Sequence, residues 1–312
     1  MTTVYTPNEV SLSNKWLKKS FGTISSYTPI TGDAGHRQYV RIAHHGKTAI
    51  WVKDNQAQSL AQFLSIHHLL QQHHCPVPKI YDANTDHGWL LLEDLGSKTL
   101  LNSWAQASAP ELHQTIDLIT QMATIPKPSL PIFDIKHMIQ ELHLCRDWYF
   151  GQITSPLSDE ETAVFNDAAE RLATLINQQP YGFIHLDFHS ANLMLHQQQL
   201  YMIDFQDAKW GPTHYDITSL LFDCYTDWPP SNRAAWIESL QQSQPFNEQW
   251  VNELALQRLI KVLGIFSRLK HRDHKPRYTQ YYPRIYGYLQ SIFKALPAFS
   301  PLEQLFKDRQ CW

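Results

Sequence analysis

The segment from Gly182 to Ala208, GFIHLDFHSANLMLHQQQLYMIDFQDA, constrains the fold of this chain more than any other stretch. It begins as a short apolar strand that enters a turn, where His185, Asp187 and Asn192 follow the pattern His-x-Asp-x-x-x-x-Asn. Two apolar runs around a polar turn then predict a hairpin, and the second run leads to Asp204. The sequence therefore predicts a strand–turn–hairpin unit that brings two carboxylates and an amide together.

These residue types at these separations suit phosphoryl transfer from a nucleotide. We interpret Asp187 as the base that orients and deprotonates the attacking hydroxyl, and Asn192 and Asp204 as ligands of Mg²⁺, because hard cations take oxygen ligands. Positioning and charge stabilisation supply the rest of the catalysis. The alternative is a polar loop that closes a hairpin, in which Asp187 and Asn192 bond to the turn backbone. The complete set, in this order, favours catalysis.

The segment resembles the catalytic core of the aminoglycoside phosphotransferase-like branch of the protein-kinase fold. Protein kinases have His-Arg-Asp and Asp-Phe-Gly where this chain has His-Leu-Asp and Asp-Phe-Gln. The resemblance implies an α+β, two-lobed protein-kinase-like fold, with a small, mostly antiparallel β N-lobe at residues 1–95 and a larger helical C-lobe at residues 96–312. It also implies ATP and Mg²⁺ as cofactors. His185 is expected at the catalytic site, where it braces the loop by hydrogen bonding.

A glycine-bearing turn lies between two predicted strands of the N-lobe. Residues 24–30 and 38–42 have strand character, and Gly32 and Gly35 lie in the turn that joins them. In this fold such a turn covers the nucleotide phosphates with backbone N–H groups, so the resemblance implies that Gly32 and Gly35 bind the cofactor. An ordinary hairpin turn would have the same composition.

Three cations compete for contact with the phosphates. Lys53 closes a strand that begins at Lys47 and is superficially similar to the kinase strand Val-Ala-Ile-Lys. The usual partner of that lysine is a glutamate on the next helix, yet the predicted helix at residues 55–74 has no acidic residue. The Lys–Glu pair is therefore absent or replaced. Arg37 and Arg41, just after the glycine turn, are the alternative cations.

An apolar strand, residues 88–92, runs into Glu93-Asp94-Leu95-Gly96. This arrangement resembles the connection between the two lobes, whose backbone would bind adenine, and it implies cofactor-binding positions at Glu93 and Leu95. A strand followed by an ordinary turn would look the same, so the motif mainly places the boundary between the lobes.

Apolar residues at helical spacing dominate the rest of the chain. Helices are predicted at residues 11–21, 110–124, 134–149, 158–177, 213–222, 247–270 and 283–296. Ser158 begins one of them as an N-cap with an acidic first turn. In the helix at residues 213–222, the fold implies that Asp216 supports the backbone of the catalytic loop.

Composition narrows the class of protein. Lys and Arg total 26 and Asp and Glu total 29, with no basic stripe, which argues against a nucleic-acid partner. Four scattered cysteines without a Cys-x-x-Cys pair predict buried reduced thiols rather than zinc ligands or disulfides. No uncharged run approaches membrane-spanning length, and the N-terminus has no apolar signal region. We therefore expect a cytoplasmic monomer without membrane contact.

Several further stretches resemble one family closely. They are GDAGHRQYVR, LLLEDLG, DFQDAKWGPTHYDITSLLFDCYTDWP and QRLIKVLGIFSRLKHRDHKPRY. Together they look like the bacterial N-acetylmuramate/N-acetylglucosamine kinases over nearly the whole chain. The resemblance implies that ATP and an N-acetylated amino sugar give the sugar 1-phosphate and ADP, a product that this family feeds into peptidoglycan recycling.

The charge of the C-terminal segment fits a neutral or anionic acceptor. Its cations are Arg258, Lys261, Arg268, Arg272, Arg277 and Arg284. Arg258 and Arg272 are candidates for the lactyl carboxylate of N-acetylmuramate, and replacing either should raise KM for that sugar more than for N-acetylglucosamine. A solvated basic helix face is the alternative. Asp207 either contacts the sugar or orients the metal.

Two other functions remain open. The first is a kinase for another small alcohol, such as an aminoglycoside, choline or homoserine, because the core motif does not fix the acceptor. The second is a nucleotide-binding pseudokinase that acts as a scaffold, which the missing acidic partner of Lys53 supports.

Overall fold

A five-stranded antiparallel sheet is followed by a largely helical part, which confirms the expected kinase-like α+β architecture. The computed structural model describes residues 7–30, 37–54, 56–104, 109–153, 155–243 and 245–311. The last strand of the sheet ends at Glu93, so a boundary between lobes at residue 95 stays a prediction that agrees with the order of elements.

The strands of the sheet lie in the order β1-β2-β3-β5-β4, and each neighbouring pair is antiparallel. They are β1 (Ser26–Ile30), β2 (Gln38–His44), β3 (Lys47–Lys53), β4 (Ile80–Asn84) and β5 (Trp89–Glu93). All but β4 were predicted. β4 is an edge strand whose alternate residues are exposed, so its sequence, IYDAN, lacks the apolar run of a buried strand.

The helical part contains two further pairs of strands. One pair joins β6 (Tyr181–Ile184) to β9 (Lys209–Pro212), and the other is the hairpin of β7 (Leu193–His196) and β8 (Gln199–Met202). The hairpin is the one predicted from the apolar runs after Asn192. Its turn directs the chain back towards the catalytic loop.

The helices that were predicted mostly begin and end within two or three residues of the predicted positions, whereas those at 100–103, 151–153, 230–243 and 300–308 were not predicted. In chain order, the helices are α1 (Pro7–Ser20), α2 (Ala57–Gln72), α3 (Leu100–Ser103), α4 (Ala109–Ala123), α5 (Ile135–Leu144), α6 (Gly151–Ile153), α7 (Asp159–Asn177), α8 (Tyr215–Leu221), α9 (Pro230–Ser243), α10 (Glu248–His271), α11 (Tyr282–Ala295) and α12 (Ser300–Asp308). A π-helical turn, Cys145–Phe150, joins α5 to α6. Ser158 caps α7 as predicted: its hydroxyl accepts from the amide of Glu161, whose carboxylate bonds back to the Ser158 amide.

The two faces of the sheet pack against different neighbours. Trp51 and Trp89 pack with Leu17 of α1 on the outer face. On the opposite face, Val52 belongs to a core that includes α2 and Phe205 of the catalytic segment. This second face, which we call the cleft face, is therefore the one turned towards the catalytic residues.

α10 runs through the interior of the helical part, with buried residues on every side. A Cβ atom at Gly264 would lie 2.3 Å from the backbone carbon of Leu144, so only glycine permits this close approach of α10 to α5. Such packing fixes the position of every side chain that α10 presents to its neighbours.

All four cysteines are buried and unbridged, as predicted. In the part of the chain that the structure describes, no helix combines the length and apolar character needed to cross a membrane.

Candidate active site

The loop that begins after β6 carries His185, Asp187 and Asn192, and we call it the catalytic loop. A buried carboxylate holds its first two backbone amides. Asp216 accepts hydrogen bonds from the N–H groups of His185 (2.7 Å) and Leu186 (3.1 Å). Leu186 has a φ of 76°, which is unfavourable for a side chain of its size, so the loop needs such fixed partners. Burial raises the pKa of Asp216 to about 7, although the two N–H groups act in the opposite direction. The predicted supporting role of Asp216 is confirmed.

His185 braces the loop against the segment that follows β8. Its ring Nε2 donates to the carbonyl oxygen of Ile203 (3.1 Å), and the side chain is fully buried. Burial lowers the pKa of His185 to about 4, so the imidazole is neutral at pH 7. A neutral ring bonded to a backbone carbonyl agrees with the expected bracing role.

Asn192 ties the two halves of the site together. Its side-chain nitrogen donates to the carbonyl oxygen of Asp187 (3.0 Å), and its own backbone carbonyl accepts from the amide of Ile203 (3.0 Å). Because the side-chain nitrogen makes the contact with the loop, the side-chain oxygen lies on the opposite side of the amide group. The side-chain oxygen takes no part in that bond, and metal binding by Asn192 stays a prediction.

Asp204 lies in the same cleft, immediately after the predicted strand. It has a φ of 62°, and its carboxylate accepts from the side-chain amide of Gln206 (2.8 Å). Surrounding protein desolvates the carboxylate and, with the charges of Asp187 and Asp207, raises the pKa of Asp204. Asp204 thus lies close enough to Asp187 and to Asp207 for both charges to repel its carboxylate, which a bound cation would relieve.

The donor set fits Mg²⁺ better than a transition metal. Among the residues with described positions, no group of three or more His, Cys, Asp and Glu side chains is arranged to hold a metal ion. Asp204 and Asn192 offer one carboxylate and one amide oxygen. Mg²⁺ is commonly bound by one or two carboxylates and completes its octahedron with water and substrate phosphates.

Two buried cations of α10 lie beneath the catalytic loop. Arg258 and Lys261 are only 4% and 5% exposed, and Lys261 bonds to Glu141 (3.0 Å) and to the hydroxyl of Tyr215 (3.2 Å). Burial alone would raise the pKa of Asp187, but the charge of Lys261, with smaller contributions that include Arg258, lowers it. These cations keep Asp187 ionised near neutral pH.

Sequence reasoning assigned Arg258 to the acceptor site and missed the role of Lys261 beside it. The available signal was their spacing, because residues three apart share one face of a helix. Nothing local in the sequence pointed to Glu141, whose pairing with Lys261 depends on the packing of α5 against α10.

Arg272 does not join this cluster. It follows the last residue of α10, about 21 Å beyond Arg258 along the axis at 1.5 Å per residue. Its guanidinium pairs with Asp273 at 2.7 Å and 2.9 Å, and its side chain is 54% exposed. The structure therefore separates the two arginines that the sequence placed at the acceptor.

On the nucleotide side, the predicted glycine turn with Gly32 and Gly35 lies outside the described residues, so its role stays a prediction. Arg37 follows directly and forms an ion pair with Asp54 (2.8 Å). Lys53 is the last residue of β3, and its side chain is buried.

Arg41, a residue of β2, holds the connection that follows β5. Its guanidinium makes two bonds to Asp94 (2.6 Å and 3.0 Å) and a third to the carbonyl of Gly96 (2.8 Å). Arg41, one of the three cations considered for the phosphates, is thus engaged at this connection. A two-bond Arg–carboxylate contact fixes both partners in orientation.

Glu93 and Leu95 lie on either side of Asp94. The Glu93 carboxylate accepts from the backbone N–H of Lys79 (3.1 Å), so this side chain turns towards β4. The Leu95 carbonyl accepts from Nδ1 of His196 (3.2 Å), which joins this connection to the hairpin of the catalytic segment. Nucleotide binding by their backbone stays a prediction.

The chain is similar in sequence to a named sugar kinase. It is 30% identical over 318 residues to the N-acetylmuramate/N-acetylglucosamine kinase of Pseudomonas putida, and the match covers 97% of this chain and 93% of that protein.

Solved structures with low sequence identity share the fold. Choline kinase LicA from Streptococcus pneumoniae matches with a TM-score of 0.69 at 15% identity, covering 91% of this chain and 99% of that chain. The ADP-bound aminoglycoside phosphotransferase APH(2'')-Ib matches with a TM-score of 0.64 at 12% identity, covering 88% and 95%.

The description of the matching family agrees with the chemistry of the cleft. Residues 26–254, which include the sheet, the catalytic loop and Asp204, match the sequence model of one family of enzymes. On this evidence the chain belongs to the APH phosphotransferase enzyme family.

Proposed function

We propose that this protein transfers the γ-phosphoryl group of ATP to the anomeric hydroxyl of N-acetylmuramate or N-acetylglucosamine, and releases the sugar 1-phosphate and ADP. The observation that carries the proposal is the convergence of Asp187, Asn192 and Asp204 in one cleft. Membership of a phosphotransferase family supports the reaction class, and the name of the Pseudomonas putida relative supports the acceptor.

Asp187 acts on the acceptor. Its carboxylate orients the sugar hydroxyl and takes the proton as the new O–P bond forms and the bond to the leaving ADP oxygen breaks. An anomeric hydroxyl is more acidic than the other sugar hydroxyls, because the ring oxygen withdraws electrons from C1. A carboxylate kept ionised by Lys261 and Arg258 is therefore a suitable base.

Asn192 and Asp204 would hold Mg²⁺ through their side-chain oxygens. When bound, the ion neutralises negative charge on the phosphates. Gln206 orients the Asp204 carboxylate. The hydrogen bond from the Asn192 side chain to the Asp187 carbonyl fixes the position of the proposed metal ligand relative to the proposed base. Asp207, exposed beside Asp204, either orients the metal or contacts the sugar.

The charge beneath the loop favours an anionic or neutral acceptor over a polycation. Arg258 interacts electrostatically with Asp187 and Asp223, and it is the cation of the C-terminal segment that we place nearest to the acceptor. It would attract the lactyl carboxylate of N-acetylmuramate. An aminoglycoside, which carries several positive charges, would meet repulsion from Arg258 and Lys261.

The chain could instead be a pseudokinase that binds a nucleotide and transfers nothing. Its best support is that α2 has no acidic residue to pair with Lys53. Against it, the base and both metal ligands are retained and lie together. Mg²⁺-dependent ATP turnover with and without sugar discriminates the two functions, because a scaffold would give none in either case. We further propose a cytoplasmic monomer, and size-exclusion chromatography with light scattering tests the oligomeric state.

Phosphorus NMR of the product tests the reaction and its regiochemistry. The protein is incubated with Mg-ATP and N-acetylmuramate, and in parallel with N-acetylglucosamine. An anomeric phosphate is coupled to the single C1 hydrogen and gives a doublet, whereas a 6-phosphate is coupled to two hydrogens. The methyl glycoside of N-acetylglucosamine, which has no free anomeric hydroxyl, is the matched control and should give no product.

The outcomes separate the parts of the proposal. A doublet with either sugar, and none with the methyl glycoside, is the expected result. Product from the methyl glycoside would overturn the anomeric assignment. No product from either sugar would overturn the acceptor and lead to a screen of other metabolite alcohols.

A further inference from the structure

Lys53 lies on the face of the sheet away from the catalytic residues. Side chains of a strand alternate between the two faces, and Trp51 of β3 packs with Leu17 of α1 on the outer face. Val52 packs on the cleft face. Lys53 follows Val52, and its cross-strand neighbour on β5 is Trp89, which also belongs to the outer face. The alternation therefore directs Lys53 outwards.

Arg37 lies on the cleft face instead. Its guanidinium carbon is 5.3 Å from the centre of the Phe63 ring, which stacks on Phe205 at 4.9 Å. Phe205 follows Asp204 directly. Tyr39 interacts electrostatically with both Arg37 and Asp204, which places the guanidinium on the same side of the cleft as the proposed metal ligand.

Asp54 and Ser59 fix the orientation of Arg37. Nε of Arg37 donates to Asp54 (2.8 Å), and Nη2 donates to the hydroxyl of Ser59 (2.7 Å) on α2. Nη2 also donates to the carbonyl oxygen of Ser59 (3.3 Å), and the guanidinium forms a further hydrogen bond with Tyr39. The Arg37 and Asp54 side chains are 7% and 0% exposed, and Asp54 also accepts from the amide of Gln56 (2.9 Å). A buried ion pair with these additional bonds is held in one geometry.

Gly88 makes the position of Asp54 possible. The amide of Asp54 donates to the Gly88 carbonyl (2.7 Å), and Gly88 has a φ of +69°. A Cβ atom at position 88 would lie 1.8 Å from the carbonyl oxygen of Asp54. The turn between β4 and β5 thus packs directly on the backbone of the residue that holds Arg37.

We propose that Arg37, held by Asp54, is the cation that contacts the phosphates of the bound nucleotide, in place of Lys53. In protein kinases a β3 lysine contacts the phosphates and pairs with a glutamate of the next helix. Here α2 has no acidic residue, and the carboxylate comes from the end of β3 while the cation comes from the residue before β2. The inference rests on the proposed function, because it assumes that the cleft binds a nucleoside triphosphate.

A guanidinium suits this position chemically. It is planar, always charged and able to bond a carboxylate through one edge and phosphate oxygens through the rest of its fork. A lysine ammonium offers one compact charge without that geometry. Arg37→Lys should therefore weaken phosphate binding although it keeps the charge.

Binding of ADP and of adenosine, measured by calorimetry, tests the contact without requiring turnover. Arg37→Met should weaken ADP binding by roughly 10-fold to 100-fold, the range expected for lost hydrogen bonds to a charged group, and leave adenosine binding unchanged. Lys53→Met is the matched comparison and should change neither affinity more than about 2-fold, since it lies on the outer face. Equal loss of adenosine and ADP binding in Arg37→Met would indicate damage to the whole site and overturn the assignment.

Asp54→Asn tests the positioning role. It should weaken ADP binding in the wild-type background and have no further effect on ADP binding when Arg37 is already methionine, because Asp54 acts through Arg37. Additive losses would overturn that coupling. If Arg37→Met does not fold, judged by thermal unfolding, Arg37→Lys and Lys53→Met decide: an ADP loss confined to Lys53→Met would overturn the proposal.

The same measurements distinguish two kinds of failure. Wild-type protein that binds ADP but yields no sugar phosphate would contradict the proposed acceptor and leave the assignment of Arg37 testable. Wild-type protein whose affinity for ADP equals that for adenosine would show that no cation contacts the phosphates, and would overturn the inference itself.

Discussion

The ammonium group of Lys261 lies 3.0 Å from the carboxylate of Glu141, in the interior beneath the catalytic loop. Gln257 also donates to Glu141 (2.9 Å), so the carboxylate has both an opposite charge and a neutral donor. Buried charges are unfavourable unless they are paired and hydrogen-bonded in this way. The pair fixes a positive charge close to Asp187, which interacts electrostatically with Lys261.

Lys261→Met should reduce both stability and turnover. Removal of the lysine leaves Glu141 buried without its cation, which should lower the free energy of unfolding by about 3–5 kcal/mol. The kcat should fall because Asp187 loses the positive charge that contributes most to keeping it ionised. Urea unfolding and kcat at saturating substrates measure the two effects.

The double variant Glu141→Gln with Lys261→Met separates the effects. Two neutral side chains of similar size should recover most of the free energy of unfolding, since no unpaired charge remains buried. The kcat should stay low, because the cation near Asp187 is still missing. Full recovery of kcat together with stability would show that Lys261 serves only the fold.

The same pair predicts sensitivity to acid. Burial alone would raise the pKa of Glu141, but Lys261 and bonds from His137 and Gln257 outweigh it and lower the pKa to about 2. A carboxyl group with a lowered pKa stabilises the folded state above its ordinary pKa, near 4.5, and this contribution is lost as the pH falls towards 2. The difference in unfolding free energy between wild type and Lys261→Met should therefore shrink over that range, because protonation of Glu141 removes both the ion pair and the unpaired buried charge. A constant difference would contradict the pairing.

The catalytic segment could be predicted from sequence because its parts are close together in the chain. His185, Asp187, Asn192 and Asp204 lie on one strand–turn–hairpin unit, so spacing and apolar runs alone bring them together. Four strands of the sheet, without β4, and most of the helices that follow came from the same local patterns and the resemblance that they supported. The spacing of apolar residues along the chain was sufficient to predict these elements.

The ion pairs could not be predicted, because their partners are distant in sequence. Glu141 meets Lys261 only after α5 packs on α10, and Arg37 meets Asp54 only across paired strands. The sequence of β3 also did not show on which face of the sheet Lys53 lies. A strand that is buried on both faces has apolar residues at successive positions, so its pattern does not indicate which face is turned towards the cleft. α9 was missed because its first residues, PSNRAA, include no large apolar side chain.

Asp187→Asn should lower kcat by about 10²-fold or more, the scale of lost general-base and positioning work. An amide keeps the shape of the side chain but cannot take the proton from the acceptor hydroxyl. ADP affinity and thermal stability should change little. Steady-state kinetics with saturating ATP and sugar measures the loss.

Asp308→Asn is the matched control for this substitution. Asp308 is exposed at the end of α12 and bonds to Gln304, far in the sequence from the catalytic loop. It should keep the kcat of the wild type. An Asp187→Asn enzyme with normal kcat would remove Asp187 from the role of base.

Arg258→Met and Arg272→Met should now differ, although the sequence treated both arginines as acceptor contacts. Arg258 is buried beside Asp187, whereas Arg272 pairs with Asp273 at the exposed end of α10. Arg258→Met should raise KM for N-acetylmuramate more than for N-acetylglucosamine, because only the first sugar carries a carboxylate. Arg272→Met should leave both constants close to those of the wild type.

The comparison of two sugars makes this test independent of general damage to the site. Loss of packing or of the charge near Asp187 would affect both sugars alike and would appear mainly in kcat, since both have the same anomeric hydroxyl. A selective rise in KM for the anionic sugar can come only from an interaction with its lactyl group. Equal effects of Arg258→Met on both sugars would therefore restrict Arg258 to the support of Asp187, and a selective effect of Arg272→Met would return the acceptor carboxylate to the far end of α10.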